Sequence, residues 1–134
     1  MRTYRCTECA YEVDERWLDH TRYTYECGEV RVLIEPYCAR ADGPEQVDAA
    51  IARFHHIVPG YTLVERSSSE KPAPDSLIVA HRLGGLLARF EISVFWALGE
   101  SMWVMRASAS FAEEERCREA LHSFLDTYQP VEAL

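Results

Sequence analysis

Trp17-Leu18-Asp19-His20-Thr21, running into Arg22-Tyr23-Thr24-Tyr25-Glu26, is the stretch on which the reading of this chain turns. An aromatic, an acid and a hydroxyl at spacings of two lead into a segment that alternates between aromatic and polar side chains, as a strand with two unlike faces does. Beyond Gly28-Glu29, Val30 to Tyr37 alternates in the same way, so Thr21 to Glu26 and Val30 to Tyr37 predict a β-hairpin. With Gly28 and Glu29 as the turn, Tyr25 lies opposite Val32 and Tyr23 opposite Ile34. On the other face Glu26 meets Arg31, Thr24 meets Leu33, and Arg22 meets Glu35. The opposite-charge pairs favour this register, each by roughly 0.2–1 kcal/mol. One face is expected to be core and the other wet or mixed.

Outward from the hairpin, Tyr4 to Tyr11 predicts a first strand, followed by an irregular acidic segment through Asp14-Glu15. Ala39 to Gly43 is a loop, and Pro44 suits the first position of a helix. That helix is expected to run to about Ile57, burying Val47, Ile51, Phe54 and Ile57, before Pro59-Gly60 stops it. Tyr61 to Arg66 is the next strand, and the Ser- and Pro-rich Ser67 to Asp75 an exposed loop. Strands at Leu77–Leu83, Leu86–Ala97 and Ser101–Ala109 follow, joined by turns at Gly84-Gly85 and Gly99-Glu100. These turns set Val79 against Phe90, Trp96 against Trp103, Val94 against Met105 and Ile92 against Ala107, an apolar face. Ile78, Ala80, Arg82, Leu87, Arg89, Glu91, Ser93, Phe95, Val104 and Arg106 make the mixed reverse face. A last helix, Ala112 to Tyr128, carries Glu113, Glu114 and Glu115 in its first turn, where negative charge suits the helix dipole. Its stripe is Cys117, Leu121, Phe124 and Tyr128. The expectation is an α+β single domain over residues 1–134, an antiparallel sheet of about six to seven strands with both helices on one face and the other face open.

Composition narrows the function classes. The chain has 134 residues, 48% hydrophobic and 27% charged, with a formal net charge of -8. That charge argues against nucleic acid and against anionic membrane surfaces as partners. Met1-Arg2-Thr3-Tyr4-Arg5 opens no apolar leader and no window is long enough to span a bilayer, so a cytoplasmic protein with reduced cysteines is expected.

Few residues suggest catalysis. Cys6-x-x-Cys9 lacks a second close pair, Cys27 and Cys38 being eleven positions apart, so strand or buried thiols are the default and no metal is expected. His55 and His56 are consecutive on a helix and point about 100° apart. His20, His81 and His122 read as satisfied or solvated side chains. Asp19 and Thr21 suit hydrogen bonds to free backbone groups in a turn, with Trp17 as an anchor. No phosphate loop, nucleophile elbow or zinc-protease motif occurs, so neither an enzyme nor a cofactor is expected. Arg82, Arg89 and Arg106 on the mixed face form either a solvated surface or, with Ile78, Leu87, Phe95 and Val104, a recognition surface.

Trp17-x-Asp19-x-Thr21, the hairpin, the helix ending in Pro59-Gly60-Tyr61, the strand Thr62-Leu63-Val64-Glu65-Arg66 and the closing meander resemble, in that order, the DcrB-like family, whose fold is PsbP-like. Within it the chain is most similar to the Eag chaperones of bacterial type VI secretion. That resemblance implies a non-enzymatic, cytoplasmic, homodimeric chaperone or adaptor that holds the hydrophobic N-terminal segment of a toxin effector on its open sheet face. The partner-binding residues expected here are Arg22, Thr24, Leu33, Ile78, Leu87, Arg89, Phe95, Val104 and Arg106. The chain departs from the family in carrying Arg22, Thr24 and Glu26 where aliphatic residues grip the client, and in lacking a proline between Tyr11 and Glu15. Two other readings stand beside it: an immunity- or assembly-type module that engages a basic partner through acidic residues, and a small enzyme or ligand-binding protein with a pocket near Trp17, Asp19 and His20.

Overall fold

The computed structural model describes residues 2–5, 10–13, 22–86 and 88–129, the first two segments as backbone. Trp17, Asp19, His20, Thr21, Cys6, Cys9 and Leu87, and the expectations attached to them, lie outside those residues. Instead of one strand from Tyr4 to Tyr11, the N-terminal part has β1 (Arg2–Arg5) and β2 (Ala10–Val13), which pair antiparallel with each other from Arg2↔Val13 to Arg5↔Ala10.

The main sheet has six antiparallel strands. They are β3 (Tyr23–Cys27), β4 (Val30–Ala39), β5 (Thr62–Ser69), β6 (Ser76–Leu83), β7 (Arg89–Leu98) and β8 (Ser101–Ser110), in the spatial order β3-β4-β8-β7-β6-β5. Helix α1 (Gly43–Ile57) connects β4 to β5, and α2 (Glu114–Thr127) follows β8. The result is an α+β sheet with two helices packed on it.

Where short turns join strands, pairing follows the sequence. Between β3 and β4, Tyr23↔Ile34, Thr24↔Leu33, Tyr25↔Val32 and Glu26↔Arg31 all occur. Arg22 meets Glu35, with Nε to Oε2 at 2.9 Å. Between β7 and β8 the pairs Trp96↔Trp103, Val94↔Met105 and Ile92↔Ala107 hold as expected. Strand β5 continues to Ser69, so the first three residues of the expected Ser-rich loop are strand.

The β6–β7 register differs. A Gly84-Gly85 turn would set Val79 against Phe90; instead Leu83 pairs with Arg89, and Val79 faces Ser93 while Arg82 faces Phe90. The connection is longer than two residues, and the change in register is odd-numbered. Because strand side chains alternate, an odd slip exchanges the two faces of β6. Gly84 is used for close approach rather than for a tight turn: a Cβ there would stand 2.9 Å from Gly60 Cα and 2.8 Å from the Gly60 carbonyl oxygen.

The helices lie on opposite faces, which corrects the expectation that they share one. Phe90, Ile92, Val94 and Trp96 of β7, with Met105, Ala107 and Ala109 of β8, form a core with Cys117 and Leu121 of α2. The intervening residues Phe95, Val104 and Met102, with Leu77 and Val79 of β6, form a second core with Val47 of α1, against which Ile51 packs. Burial in the α2 core pushes the Cys117 thiol up to about 11, so it behaves as a small apolar side chain. Helix α2 buries the expected stripe, and at its end Trp96 Nε1 donates to the Tyr128 hydroxyl at 3.0 Å. Helix α1 buries Val47 but leaves Ile57 66% exposed. At 100° per residue, Ile57 sits roughly 80° round the helix from Val47, off the buried stripe.

Candidate partner-binding face

The face covered by α1 is covered only in part. Pairing across the strands lays out its rows. One runs Thr24, Leu33, Arg106, Ser93, Val79; a second runs Glu26, Arg31, Ser108, Glu91, His81; a third runs Arg22, Glu35, Val104, Phe95, Leu77. Apolar residues gather at the β6 end and under α1. Toward β3 the same face turns polar and exposed.

Of the expected partner-binding residues, Arg22, Thr24, Leu33, Arg89 and Arg106 share this face. Arg22 and Thr24 are exposed, and Leu33, Arg89 and Arg106 are half-buried. The four others are corrected or left aside. Phe95 and Val104 are on the face but buried beneath α1, at 4% and 0% exposure, and Phe95 packs edge-on against the Tyr37 ring at 4.9 Å. They hold the helix and offer nothing to a partner. Ile78 points to the opposite face and packs against the α2 core, because of the register change in β6. Leu87 lies outside the described residues. Arg82, once grouped with Arg89 and Arg106, goes with Ile78: its guanidinium pairs with Glu114 of α2, with Nη2 to Oε1 at 2.8 Å.

Charge on the face is organised in pairs. Arg106 Nε donates to Ser93 Oγ at 3.0 Å, and Arg89 Nη2 to Ser108 Oγ at 3.0 Å. Arg31 pairs with Glu26 at 3.1 Å. At the hairpin end these strands bound a polar cleft of 460 Å³ lined by Glu26, Glu29, Arg31, Arg89 and Ser110. A surface of this kind can hydrogen-bond a polar or amphipathic chain segment. A uniformly apolar one would have to strip water from arginine and glutamate, at a cost the pairs only partly offset.

At the edge of α1 a second constellation was not visible in the sequence. His81 is buried; its Nε2 stands 2.9 Å from Glu91 Oε2 and its Nδ1 3.1 Å from the Tyr61 hydroxyl. A carboxylate only accepts, so in the neutral ring Nε2 carries the proton and Nδ1 accepts from Tyr61. Burial pushes the Glu91 carboxyl up, but the His81 hydrogen bond and the charges of Arg106, His81 and Arg89 outweigh it and hold Glu91 below the ordinary range. Phe54 and His55 of α1 stack around Tyr61 and His81. The cavity beside this relay measures 20 Å³, too small for a substrate. The relay's ring contacts seat α1 on the sheet. Its signal was a histidine opposite a glutamate, which the assumed two-residue turn had set out of register.

Among the described residues no cluster of three histidine, cysteine or acidic side chains is placed to hold a metal ion, and no helix is long and apolar enough to cross a membrane.

No family model matches the chain, and no curated protein matches it significantly. A crystal structure from Pseudomonas aeruginosa, the protein PA94, described as of unknown function and a candidate regulator, is similar over 97% of this chain and 96% of that one, with a TM-score of 0.78 and 14% sequence identity. At that identity the likeness establishes a shared fold along the whole chain and leaves activity to be argued from the site.

Proposed function

We propose that this protein is a non-enzymatic adaptor or chaperone that holds an N-terminal segment of a secreted effector on the β3–β4–β8–β7 part of its partly covered sheet face. The effector class is that of type VI secretion, as the DcrB-like order of elements implies. The observation that carries the reading is the run Thr24, Leu33 and Arg106 across β3, β4 and β8, exposed at Thr24 and half-buried at Leu33 and Arg106, before the row passes under α1 at the buried Ser93. Its flanks of paired arginine and glutamate favour a client with polar groups on the side it presents. Arg22, Thr24, Leu33, Arg89 and Arg106 are the contact residues in this proposal.

Co-expression with a toxin encoded beside it is the direct test. The complex is expected to co-purify, and Leu33→Asp or Arg106→Glu to reduce its recovery at least tenfold, the loss of roughly 1.4 kcal/mol or more of interface energy. Leu33 belongs to neither apolar core, so circular dichroism and melting of the free Leu33→Asp protein should change little, whereas Arg106→Glu also loses the bond to Ser93 and is read against its own melting curve. Undiminished recovery with both variants would refute the face assignment.

A further inference from the structure

Ile57, expected in the buried stripe of α1, is 66% exposed. At about 100° per residue, it shares with Gln46, Ala50 and Arg53 a sector about 60° wide on one flank of the helix. Asp48 lies on the other flank, where it pairs with Arg66 of the outer strand β5 at 2.7 Å. The Ile57 flank therefore looks the opposite way, along the sheet toward β4 and β3. Two contacts place it there. Ala50 lines the small cavity that Arg106 and Tyr37 also line, and the Tyr37 hydroxyl of β4 donates to the Gln46 carbonyl at 3.5 Å. Burial pushes the pKa of that hydroxyl up, and against it act the charges of Arg106 and Arg53.

We propose that this flank of α1 is a wall of the client groove, and that the client lies beside α1 as an amphipathic helix, with an apolar side on Ile57 and a carboxylate toward Arg53 and Arg106. The inference rests on the client reading above. It adds to that reading two contact residues on the helix, Arg53 and Ile57, and a charge requirement on the client.

Width selects a helix. Beyond α1, among the described residues, the face retains β3, β4 and the Arg106–Ser108 end of β8. Three strands spaced about 4.8 Å apart offer roughly 10–14 Å, and an α-helix with its side chains is about 10–12 Å across. One helix fills that strip and meets the exposed flank of α1 as its neighbour in the same layer. The chemistry of the strip then assigns the helix its sides. Leu33 on the floor and Ile57 on the wall offer apolar surface. Arg106 gives its Nε to Ser93 Oγ, a neutral acceptor, and Arg53 is exposed. Two carboxylates of the same face are already engaged, Glu91 with His81 and Glu35 with Arg22, each at 2.9 Å. A client carboxylate that reaches both guanidiniums beside Tyr37 makes charge-assisted bonds that offset its loss of water. A uniformly apolar helix would strip water from Arg53 and Arg106 and return nothing.

Variants of α1, co-expressed with the toxin encoded beside this protein, test the wall. Ile57→Asn and Arg53→Glu are each expected to reduce recovery of the complex on the order of tenfold. Arg53→Lys keeps the charge and should recover most of it. Ala52 is exposed and sits about 140° round the helix from Val47, away from both core and groove, so Ala52→Asn should leave recovery at the wild-type level. The free variants are expected to melt as the wild type does; if Ile57→Asn melts early, Ile57→Ala carries the test instead, with a several-fold loss. Wild-type recovery of Ile57→Asn or of Arg53→Glu, while Leu33→Asp loses the complex, overturns the α1 wall and leaves the sheet-face reading standing. An equal loss with Ala52→Asn also overturns it, since α1 as a whole and not one flank would then matter. Absence of a wild-type complex, or full recovery with Leu33→Asp and Arg106→Glu, overturns the sheet-face reading and this inference with it.

Discussion

His81 and Glu91 meet across β6 and β7 with Nε2 and Oε2 2.9 Å apart, and Glu91 is held below the ordinary glutamate value of 4.5. A carboxyl depressed by folding contributes stability that is fully present above its unfolded value and lost as pH falls through the lower folded one. Glu91→Gln is therefore expected to cost on the order of 1 kcal/mol at neutral pH, the worth of a charge-assisted bond replaced by a neutral one. The difference from wild type should close as pH falls below about 4.5, and urea unfolding at a series of pH values measures it. A gap that persisted unchanged into strong acid would mean that Glu91 is not the titrating group. None of this relay was legible from the sequence. His81 and Glu91 are ten positions apart, and only the true β6–β7 register makes them neighbours.

Helix α2 and helix α1 show how far periodicity carries. The spacing of Cys117, Leu121, Phe124 and Tyr128 located the buried side of α2, because side chains three and four apart share a helix face. The same rule extended to Ile57 overreached, since successive steps had carried the stripe off the core side. Leu121→Ala is expected to destabilise by about 2–5 kcal/mol, as for a fully buried leucine whose neighbours collapse only partly. Ile57→Ala should stay within about 0.5 kcal/mol, as at a surface position. Denaturant midpoints at constant slope compare the two directly. Comparable losses would contradict the placement of Ile57 outside the core.

Alternate residues of β7 serve different cores: Val94 and Trp96 pack toward α2, Phe95 toward α1. Strands β6, β7 and β8 thus belong to both layers, and neither helix can leave without exposing a side of the same strands. The main domain is expected to unfold in one cooperative transition. Val47→Ala and Leu121→Ala should each move the whole curve, with fluorescence of the tryptophans on the α2 side and far-ultraviolet dichroism remaining coincident. Separate midpoints in the Val47→Ala variant would show that α1 detaches by itself. Strand β3 at one edge and the polar half of the α1 face lie outside both cores.

By itself the sequence determined the elements that are closed locally: the β3–β4 hairpin with its charge pairs, the β7–β8 pairing, the two helices and the α+β class. Two-residue turns set register without reference to the rest of the chain, and helical periodicity needs only one face to be dry. Tertiary structure alone decided which way β6 faces, which side each helix covers, and hence that Phe95 and Val104 are core while Leu33 and Arg106 remain available. The central strands are apolar on both sides, Ile78 beside Val79 and Val94 beside Phe95, so alternation could not name the buried face. With no two-residue turn between β6 and β7, only packing against α1 and α2 could choose between the two registers.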